Sequence, residues 1–168
     1  MVKILFVCHG NICRSPMAEF VMKDLVRKNG YDNNFLIESK ATSTEELGNG
    51  LHYGTRNKLR SEGIPMEPHR ASQLNRSDYS IYDYIIGMDK WNYKNILRIT
   101  NGDPEDKVSL LLSFTGLSRD IADPWYTGNF DITYDDICKG CEALLQHIIS
   151  EIDTWLKFIC SAYCIIIF

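Results

Sequence analysis

The chain has 168 residues, of which 45% are hydrophobic and 24% charged, with a formal net charge of -4 at pH 7. These proportions are typical of one globular domain with a real core, and they exclude an intrinsically disordered chain. The acidic balance also argues against a nucleic-acid partner, because phosphate backbones are bound by lysines and arginines clustered on one face. We expect one folded domain over residues 1–157 and a short apolar C-terminal extension over residues 158–168.

Residues 2–7 form a nearly continuous apolar run, which is typical of a strand buried on both faces of a parallel sheet. The run is too short for the apolar region of a signal peptide, so we expect a cytoplasmic protein with reduced cysteines. A loop over residues 8–14 follows. Ser15 is then the predicted N-cap, and Pro16 a first-turn residue, of a helix that Asn29 and Gly30 end.

Three more strands and three more helices are predicted along the rest of the chain. The strands are expected at residues 35–39, 82–88 and 108–112, and the helices at residues 53–62, 90–99 and 133–157. This alternation predicts a doubly wound α/β fold, a four-stranded parallel sheet with helices on both faces. Ligands of such folds bind at the carboxyl ends of the strands, so the loop 8–14, Ser39, Asp89 and the segment after Leu112 share the functional edge.

The loop from Cys8 to Arg14 has the form C-x5-R and lies between a predicted strand and a predicted helix N-terminus. Such a loop can bind an anion, because its N–H groups point inward and the arginine fork can hold two phosphate oxygens. Gly10 can adopt backbone conformations closed to other residues. The same positive field favours ionised Cys8, so we predict a thiolate nucleophile that faces a bound phosphate. The remaining members of this phosphate-binding loop are His9, Asn11, Ile12, Cys13 and Ser15.

A route through phosphocysteine also needs an acid for the leaving oxygen and a base for water, and one carboxyl group can serve both steps. Asp123 is predicted for this role because it follows the fourth strand on the functional edge. Pro124 stiffens the backbone beside it, and Trp125 and Tyr126 offer an aromatic wall for a phenyl ring. Asp120 on the same segment is the alternative acid.

The segment from Cys8 to Pro16 and the segment from Asp123 to Tyr126 together resemble the low-molecular-weight protein tyrosine phosphatases, over roughly residues 2–155. The resemblance implies that Cys8 attacks phosphorus, that Arg14 binds the phosphate and that Asp123 is the acid, without a metal or a cofactor. The implied substrates are phosphotyrosine-containing proteins and aryl phosphate monoesters. It further implies a set of residues that shape the loop and stabilise the thiolate by hydrogen bonding: Asn11, Ser15, Ser39 and His69.

Three features depart from that family's pattern. Many relatives carry an aromatic residue on the rim near positions 44–46, whereas this chain has Thr44, Glu45 and Glu46, which predicts that Glu45 disfavours acidic substrates. The segment before His69 is one residue longer than the pattern. The apolar extension over residues 158–168 is too short to cross a bilayer, and we expect a monomer or a weak homodimer.

Other functions are weighed against this one. A thiol-dependent arsenate reductase would share the fold and the C-x5-R loop but needs further cysteines in mid-chain, and none lies between Cys13 and Cys138. A non-catalytic phosphotyrosine-binding module would lack a catalytic group, and all are present here. The pairs Cys138/Cys141 and Cys160/Cys164 have zinc-like spacing, but the first pair falls in an amphipathic helical pattern, so we predict no metal.

Overall fold

The computed structural model describes the backbone of residues 1–164 and the side chains of residues 1–152 and 154. Its four strands are parallel and form one sheet in the order β2-β1-β3-β4. The strands are β1 (Val2–Cys8), β2 (Phe35–Ala41), β3 (Tyr84–Gly87) and β4 (Val108–Leu110). The α-helices in the described residues are α1 (Arg14–Lys28), α2 (Tyr53–Ser61), α3 (Lys90–Thr100), α4 (Pro124–Thr127) and α5 (Phe130–Cys164). The predicted α/β fold is confirmed.

The central strand β1 supplies side chains to two apolar cores, one on each face of the sheet. Ile4 and Phe6 are buried in the core that α1 and α5 cover, while Leu5 and Val7 are buried in the core on the α3 side. Successive side chains of a strand point to opposite faces, so an uninterrupted apolar run fills both layers. The predicted strand buried on both faces is therefore confirmed.

The strand register brings the functional edge together. In the ladders of β1, Cys8 is paired with Ala41 at the end of β2, and Val7 is paired with Gly87 at the end of β3. Asp89 is the second residue after the end of β3, and it is the N-cap of α3. The carboxyl ends of three strands thus meet around Cys8, as the rule for ligand sites in open α/β sheets predicts.

The prediction of Ser15 as the N-cap of α1 is wrong. The cap is Cys13, whose side chain makes no capping hydrogen bond, and the helix begins at Arg14. The Ser15 hydroxyl instead contacts the Cys8 sulfur and accepts a hydrogen bond from the Asn11 side chain. The first N–H groups of α1 therefore stay available to an anion at the helix N-terminus.

The predicted fourth strand, residues 108–112, ends two residues early. Leu111 and Leu112 belong to a 3-10 helix, Leu111–Thr115, and both are buried. Gly140 of α5 makes room for this turn, because a Cβ at Gly140 would lie only 2.5 Å from Cγ of Leu111. Leu111 and Leu112 are apolar because they are buried under α5. Apolar character alone does not distinguish a strand from a 3-10 helix, so the sequence pattern did not show where the strand ends.

The final helix α5 is longer than the predicted helix 133–157. It begins at Phe130 because the Asn129 side chain accepts a hydrogen bond, 3.0 Å, from the N–H of Ile132. Its backbone continues through Cys164, past the expected domain boundary at residue 157. The side chains of the apolar extension lie outside the described residues. No helix in the described part of the chain is long and apolar enough to cross a membrane.

The apolar face of α5 packs into the core that it shares with α1 and with the 3-10 helix Leu111–Thr115. Its buried side chains are those of Ile137, Cys141, Leu144, Leu145 and Ile148, whereas Ile152 is 42% exposed. Cys138 is partly buried against the same core, so this cysteine pair is part of the helix packing. In the described residues, no group of three or more His, Cys, Asp or Glu side chains is placed to hold a metal ion.

Candidate active site

The phosphate-binding loop between β1 and α1 is held from the outside through its carbonyl oxygens. These accept hydrogen bonds from other parts of the chain: Thr42 N to Cys8 O at 2.8 Å, Ser43 N to His9 O at 3.0 Å, His69 Nε2 to Asn11 O at 2.8 Å, His52 N to Ile12 O at 2.9 Å and Met17 N to Cys13 O at 3.2 Å. A peptide unit whose C=O points outward directs its N–H the other way. The loop therefore forms a concave array of N–H donors, which is an anion nest.

Asn11 is the residue of this loop with a left-handed backbone, with φ at 57°. We expected Gly10 to have the unusual conformation, and that expectation is wrong. At Gly10 a side chain would be crowded, because a Cβ there would lie 3.1 Å from Cγ of Glu46. Asparagine is one of the few residues other than glycine that tolerate the left-handed region.

The Cys8 sulfur lies within a set of hydrogen-bond donors. The Asn11 N–H donates to Sγ at 3.3 Å, and the Ser15 hydroxyl lies 3.1 Å from it. Asn11 Nδ2 donates to Ser15 Oγ at 3.0 Å, and the hydroxyl proton has two acceptors within reach, the Cys8 sulfur at 3.1 Å and the Lys40 carbonyl at 3.4 Å. The sulfur therefore lies at the base of the nest, in contact with the Asn11 N–H and the Ser15 hydroxyl.

The Asn11 side chain is wholly buried and connects the loop to its surroundings. Its Nδ2 also donates to Ser39 Oγ at 2.8 Å, while its Oδ1 accepts from the Ser72 N–H at 3.1 Å. Ser39 in turn donates to the buried carboxylate of Glu19 at 2.6 Å. The structure therefore brings together the four residues that the family resemblance placed around the loop: Asn11, Ser15, Ser39 and His69.

Arg14 is almost fully buried, and two carboxylates hold its guanidinium. Nη1 donates to Asp89 Oδ2 at 2.5 Å and to the Ile121 carbonyl at 3.2 Å, and Nη2 donates to Asp123 Oδ2 at 2.5 Å. Nε of Arg14 is buried and has no hydrogen-bond partner among the described residues. These contacts fix the plane of the guanidinium and leave Nε as its donor without a partner in the described residues, while the neighbouring Nη2 is held by Asp123.

The charges around the loop have different effects on Arg14 and Cys13. Burial by itself lowers the pKa of Arg14, but negative charge on Cys8, Asp123 and Asp89 outweighs it, so that pKa lies above the ordinary value. Burial, with further contributions that include negative charge at Cys8, raises the pKa of Cys13 to about 12. Cys13 is therefore a protonated thiol at neutral pH, unlike the nucleophile that Cys8 is predicted to be.

A cavity of about 120 Å³ opens above the loop. Asp123 lies in its wall, where it caps α4 by accepting a hydrogen bond, 3.1 Å, from the Trp125 N–H. Trp125 and Tyr126 form one side of the mouth and are 56% and 84% exposed, and the Trp125 ring packs edge-on against His52. The predicted aromatic wall is present, and the alternative acid Asp120 is not among the residues that line this cavity.

The lining of the cavity is also acidic. Glu45 and Glu46 both line the cavity, and His9 Nε2 lies 3.0 Å from Glu45 Oε2. Glu46 is oriented by Asn49, whose Nδ2 donates to its Oε2 at 2.7 Å. An approaching phosphate ester therefore meets both aromatic rings and carboxylates in the lining of the cavity.

Three residues with clear contacts were not among the predicted site residues. Asp89 holds Arg14, Glu46 lines the mouth, and Glu19 accepts the Ser39 hydrogen bond. The sequence places Asp89 on the functional edge, directly after the third strand, and that position could have identified it as a site residue. Glu19 lies on α1 four residues after Ser15, and no local sequence pattern predicts which strand residue it contacts.

A cysteine sulfur in a nest of N–H groups, a buried arginine fork and a carboxyl group in the cavity wall define a cysteine-dependent phosphatase. The family model described as low molecular weight phosphotyrosine protein phosphatase matches residues 3–154. The low molecular weight protein-tyrosine-phosphatase YfkJ of Bacillus subtilis is 39% identical over 153 residues, which cover 90% of this chain and 98% of that protein. The low molecular weight phosphotyrosine protein phosphatase of Rattus norvegicus is 38% identical, covering 85% of this chain and 93% of its own.

Solved structures agree with this assignment. The crystal structure of YfkJ from Bacillus subtilis superposes with a TM-score of 0.87 at 38% identity and covers 90% of this chain and 96% of its own. The drosophila arginine phosphatase DARP superposes with a TM-score of 0.80 at 29% identity, covering 88% of this chain and 98% of its own. The chain belongs to the low molecular weight phosphotyrosine protein phosphatase family, and it is a hydrolase of that class.

The double role of Asn11 can be tested with two substitutions. Asn11→Gly keeps a left-handed backbone but removes three side-chain hydrogen bonds, so we expect a loss of about 2–3 kcal/mol in the free energy of unfolding. Asn11→Ala adds the strain of a left-handed alanine and should cost about 1 kcal/mol more. Urea denaturation followed by circular dichroism measures both values.

Asn101 offers a matched control, because it is exposed and has a φ of 65° at the end of α3. Asn101→Gly and Asn101→Ala should differ by the same backbone cost without the hydrogen-bond loss. If Asn11→Gly were as stable as Asn101→Gly, the side-chain hydrogen bonds of Asn11 would not stabilise the loop.

Proposed function

We propose that Cys8, Arg14 and Asp123 together hydrolyse phosphotyrosine monoesters in proteins through a phosphocysteine intermediate. The observation that carries the proposal is that all three side chains line one cavity, with hydrogen-bond donors directed at the Cys8 sulfur. The roles of the three residues follow from what each can do in that geometry.

In the first step the Cys8 sulfur attacks phosphorus, a P–S bond forms, and the bond from phosphorus to the phenolic oxygen breaks. Asp123 gives its proton to that oxygen, so the leaving group departs as a neutral phenol. In the second step Asp123 takes a proton from water, the water oxygen attacks phosphorus, and the P–S bond breaks to release inorganic phosphate. The sequence consumes one water and leaves Cys8 and Asp123 as they began.

Arg14 binds the transferring phosphoryl group with Nε and Nη2, and the phosphate displaces the Asp123 carboxylate from Nη2, which frees Asp123 to take up a proton and act as the acid. Asp89 and the Ile121 carbonyl hold Nη1 throughout. Positive charge fixed beforehand at the place where negative charge develops lowers the barrier without a reorganisation cost. The loop N–H groups contribute in the same way, and the loop contacts of Asn11, Ser15, Ser39 and His69 maintain that geometry.

The mouth of the cavity supports an aromatic leaving group. Trp125 and Tyr126 offer ring faces, and Ile12 adds apolar surface at the loop. A phenyl ring stacks on such a wall. A guanidinium group also stacks on aromatic faces, so the wall alone does not separate phosphotyrosine from phosphoarginine. One relative named above is an arginine phosphatase, so phosphoarginine peptides are the informative comparison substrates. Action in the cytoplasm, as a monomer or weak homodimer, stays a prediction.

Substitution of the nucleophile tests the covalent route. Cys8→Ser should abolish turnover of p-nitrophenyl phosphate, because a serine hydroxyl at neutral pH is a far weaker nucleophile than a thiolate. Binding of the substrate analogue phenylphosphonate, measured by calorimetry, should persist because the nest and Arg14 are unchanged. Mass spectrometry of the quenched parent enzyme should find phosphate on Cys8, and near-normal turnover by Cys8→Ser would overturn the mechanism.

Asp123→Asn tests the acid. Asparagine still caps α4, but it cannot donate a proton, so cleavage of phosphotyrosine should slow by roughly 10²- to 10⁴-fold. Esters with leaving groups of low pKa should be affected least. Pre-steady-state bursts over a series of aryl phosphates measure the dependence on leaving-group pKa, which should be steep in Asp123→Asn and shallow in the parent.

Asp120→Asn is the control for that series, because Asp120 is the nearby aspartate outside the cavity lining and its Oδ1 accepts from the Lys90 N–H at 3.2 Å. It should keep the parent's shallow slope. A steep slope in Asp120→Asn together with a shallow one in Asp123→Asn would transfer the acid's role to Asp120.

The acidic lining of the mouth predicts the sequence preference for substrates. Phosphotyrosine peptides with flanking lysines should have a higher kcat/KM than peptides with flanking glutamates, because Glu45 and Glu46 line the entrance. The ratio of kcat/KM for the lysine-flanked peptides to kcat/KM for the glutamate-flanked peptides measures this preference. Glu45→Gln should reduce that ratio about threefold at low salt, since exposed charge pairs are weak and screened. Glu142→Gln, an exposed change of the same charge on α5, should leave the ratio unaltered, and an equal effect of both variants would contradict the prediction.

A further inference from the structure

A second cavity, of about 340 Å³, lies beside α2 and the segment that leads to His69. Three arginines line it, Arg56 and Arg60 from α2 and Arg70 from the segment after His69. We call it the arginine cavity. It is distinct from the catalytic cavity, with which it shares no lining residue among those described.

The charge of the arginine cavity is not balanced by the protein. In the part of the chain that the structure describes, no carboxylate lies within salt-bridge distance of these three guanidinium groups. The one carboxylate described in the lining, Glu67, is engaged by Lys23 at 2.9 Å. Three positive charges without a carboxylate partner in one concave surface attract polyvalent anions, although the net charge of the chain is -4.

Two of the guanidinium groups are held in place by the backbone. Arg56 Nη2 donates to the Leu51 carbonyl at 3.0 Å, and Arg70 Nη1 donates to the Gly48 carbonyl at 3.2 Å. A guanidinium has five N–H donors, so each group retains donors for a ligand after its backbone contact. Anchoring reduces the side-chain entropy that binding would otherwise cost, and it favours bidentate contacts with phosphate oxygens.

We propose that the arginine cavity binds a condensed phosphate chain, the triphosphate unit common to inorganic tripolyphosphate and nucleoside triphosphates. Three arginines match the several negative charges of such a chain better than the charge of one orthophosphate. This cavity of about 340 Å³ is open to solvent, and it has room for a ligand longer than one phosphoryl group. The site does not depend on the chemistry of Cys8.

Titration calorimetry with sodium tripolyphosphate tests the proposal on the full chain. The catalytic nest is first closed by alkylating Cys8 with iodoacetate, which places a carboxylate in the nest, so that heat from the second cavity is measured alone. We expect one tripolyphosphate per chain and binding that weakens as salt is added. Absence of binding by the alkylated protein, or orthophosphate binding as tightly as tripolyphosphate, would overturn the proposal.

Matched variants separate a built site from general charge attraction. Arg60→Gln should weaken tripolyphosphate binding roughly tenfold, because a charge-assisted contact is lost, while turnover by the unalkylated enzyme stays at the parent's level. Arg98→Gln removes an exposed positive charge from α3 and should change affinity less than about twofold. Glu67→Gln removes the carboxylate of the lining and should strengthen binding. Equal losses in Arg60→Gln and Arg98→Gln would overturn the proposal.

Titration with ATP distinguishes a site for nucleoside triphosphates from a site for inorganic tripolyphosphate. ATP titrated without divalent cations should bind as tightly as tripolyphosphate if the cavity also accepts the nucleoside. Weaker ATP binding, with tripolyphosphate binding retained, assigns the cavity to the inorganic chain.

Discussion

The structure of the site depends on how the backbone of residues 8–14 is held. Each carbonyl from Cys8 to Cys13, apart from that of Gly10, accepts a hydrogen bond from a group outside the nest. The N–H groups of the same peptides then face inward, while the carbonyls of these peptides stay hydrogen-bonded. One residue with a left-handed backbone, Asn11, makes this arrangement possible, and its side chain ties the loop to β2 through Ser39.

Arg14 illustrates how a buried charge is kept in a fold of this size. A guanidinium that is 3% exposed would be costly alone, and Asp89 and Asp123 compensate it from two different loops. Each carboxylate has a second function, because Asp89 caps α3 and Asp123 caps α4. The helix starts and the arginine position are therefore fixed by the same two side chains, which couples the stability of the fold to the geometry of the site.

Much of this arrangement is predictable from sequence, and the rest depends on tertiary contacts. The sheet follows from apolar runs alternating with helical periods, and Cys8, Arg14 and Asp123 follow from spacing and from position at the strand ends. The two errors at the site have one origin. Whether Ser15 caps a helix or contacts a sulfur, and whether Gly10 or Asn11 takes the left-handed conformation, depends on neighbours far away in the chain. Local propensity gave the wrong answer in both cases, because the nest imposes its own backbone geometry.

The long-range origin of the loop contacts also has a consequence for folding. The groups that hold residues 8–14 come from residues 39–43, from His52, from residues 69–72 and from Asp89 and Asp123, so contacts of the site span up to 109 residues of chain. Contacts of such separation form only after the entropy of closing long loops has been lost, which places them late in assembly. A partly folded intermediate of this protein would then be without a formed nest, and the recovery of phosphatase activity during refolding would follow the last cooperative step rather than the collapse of the sheet.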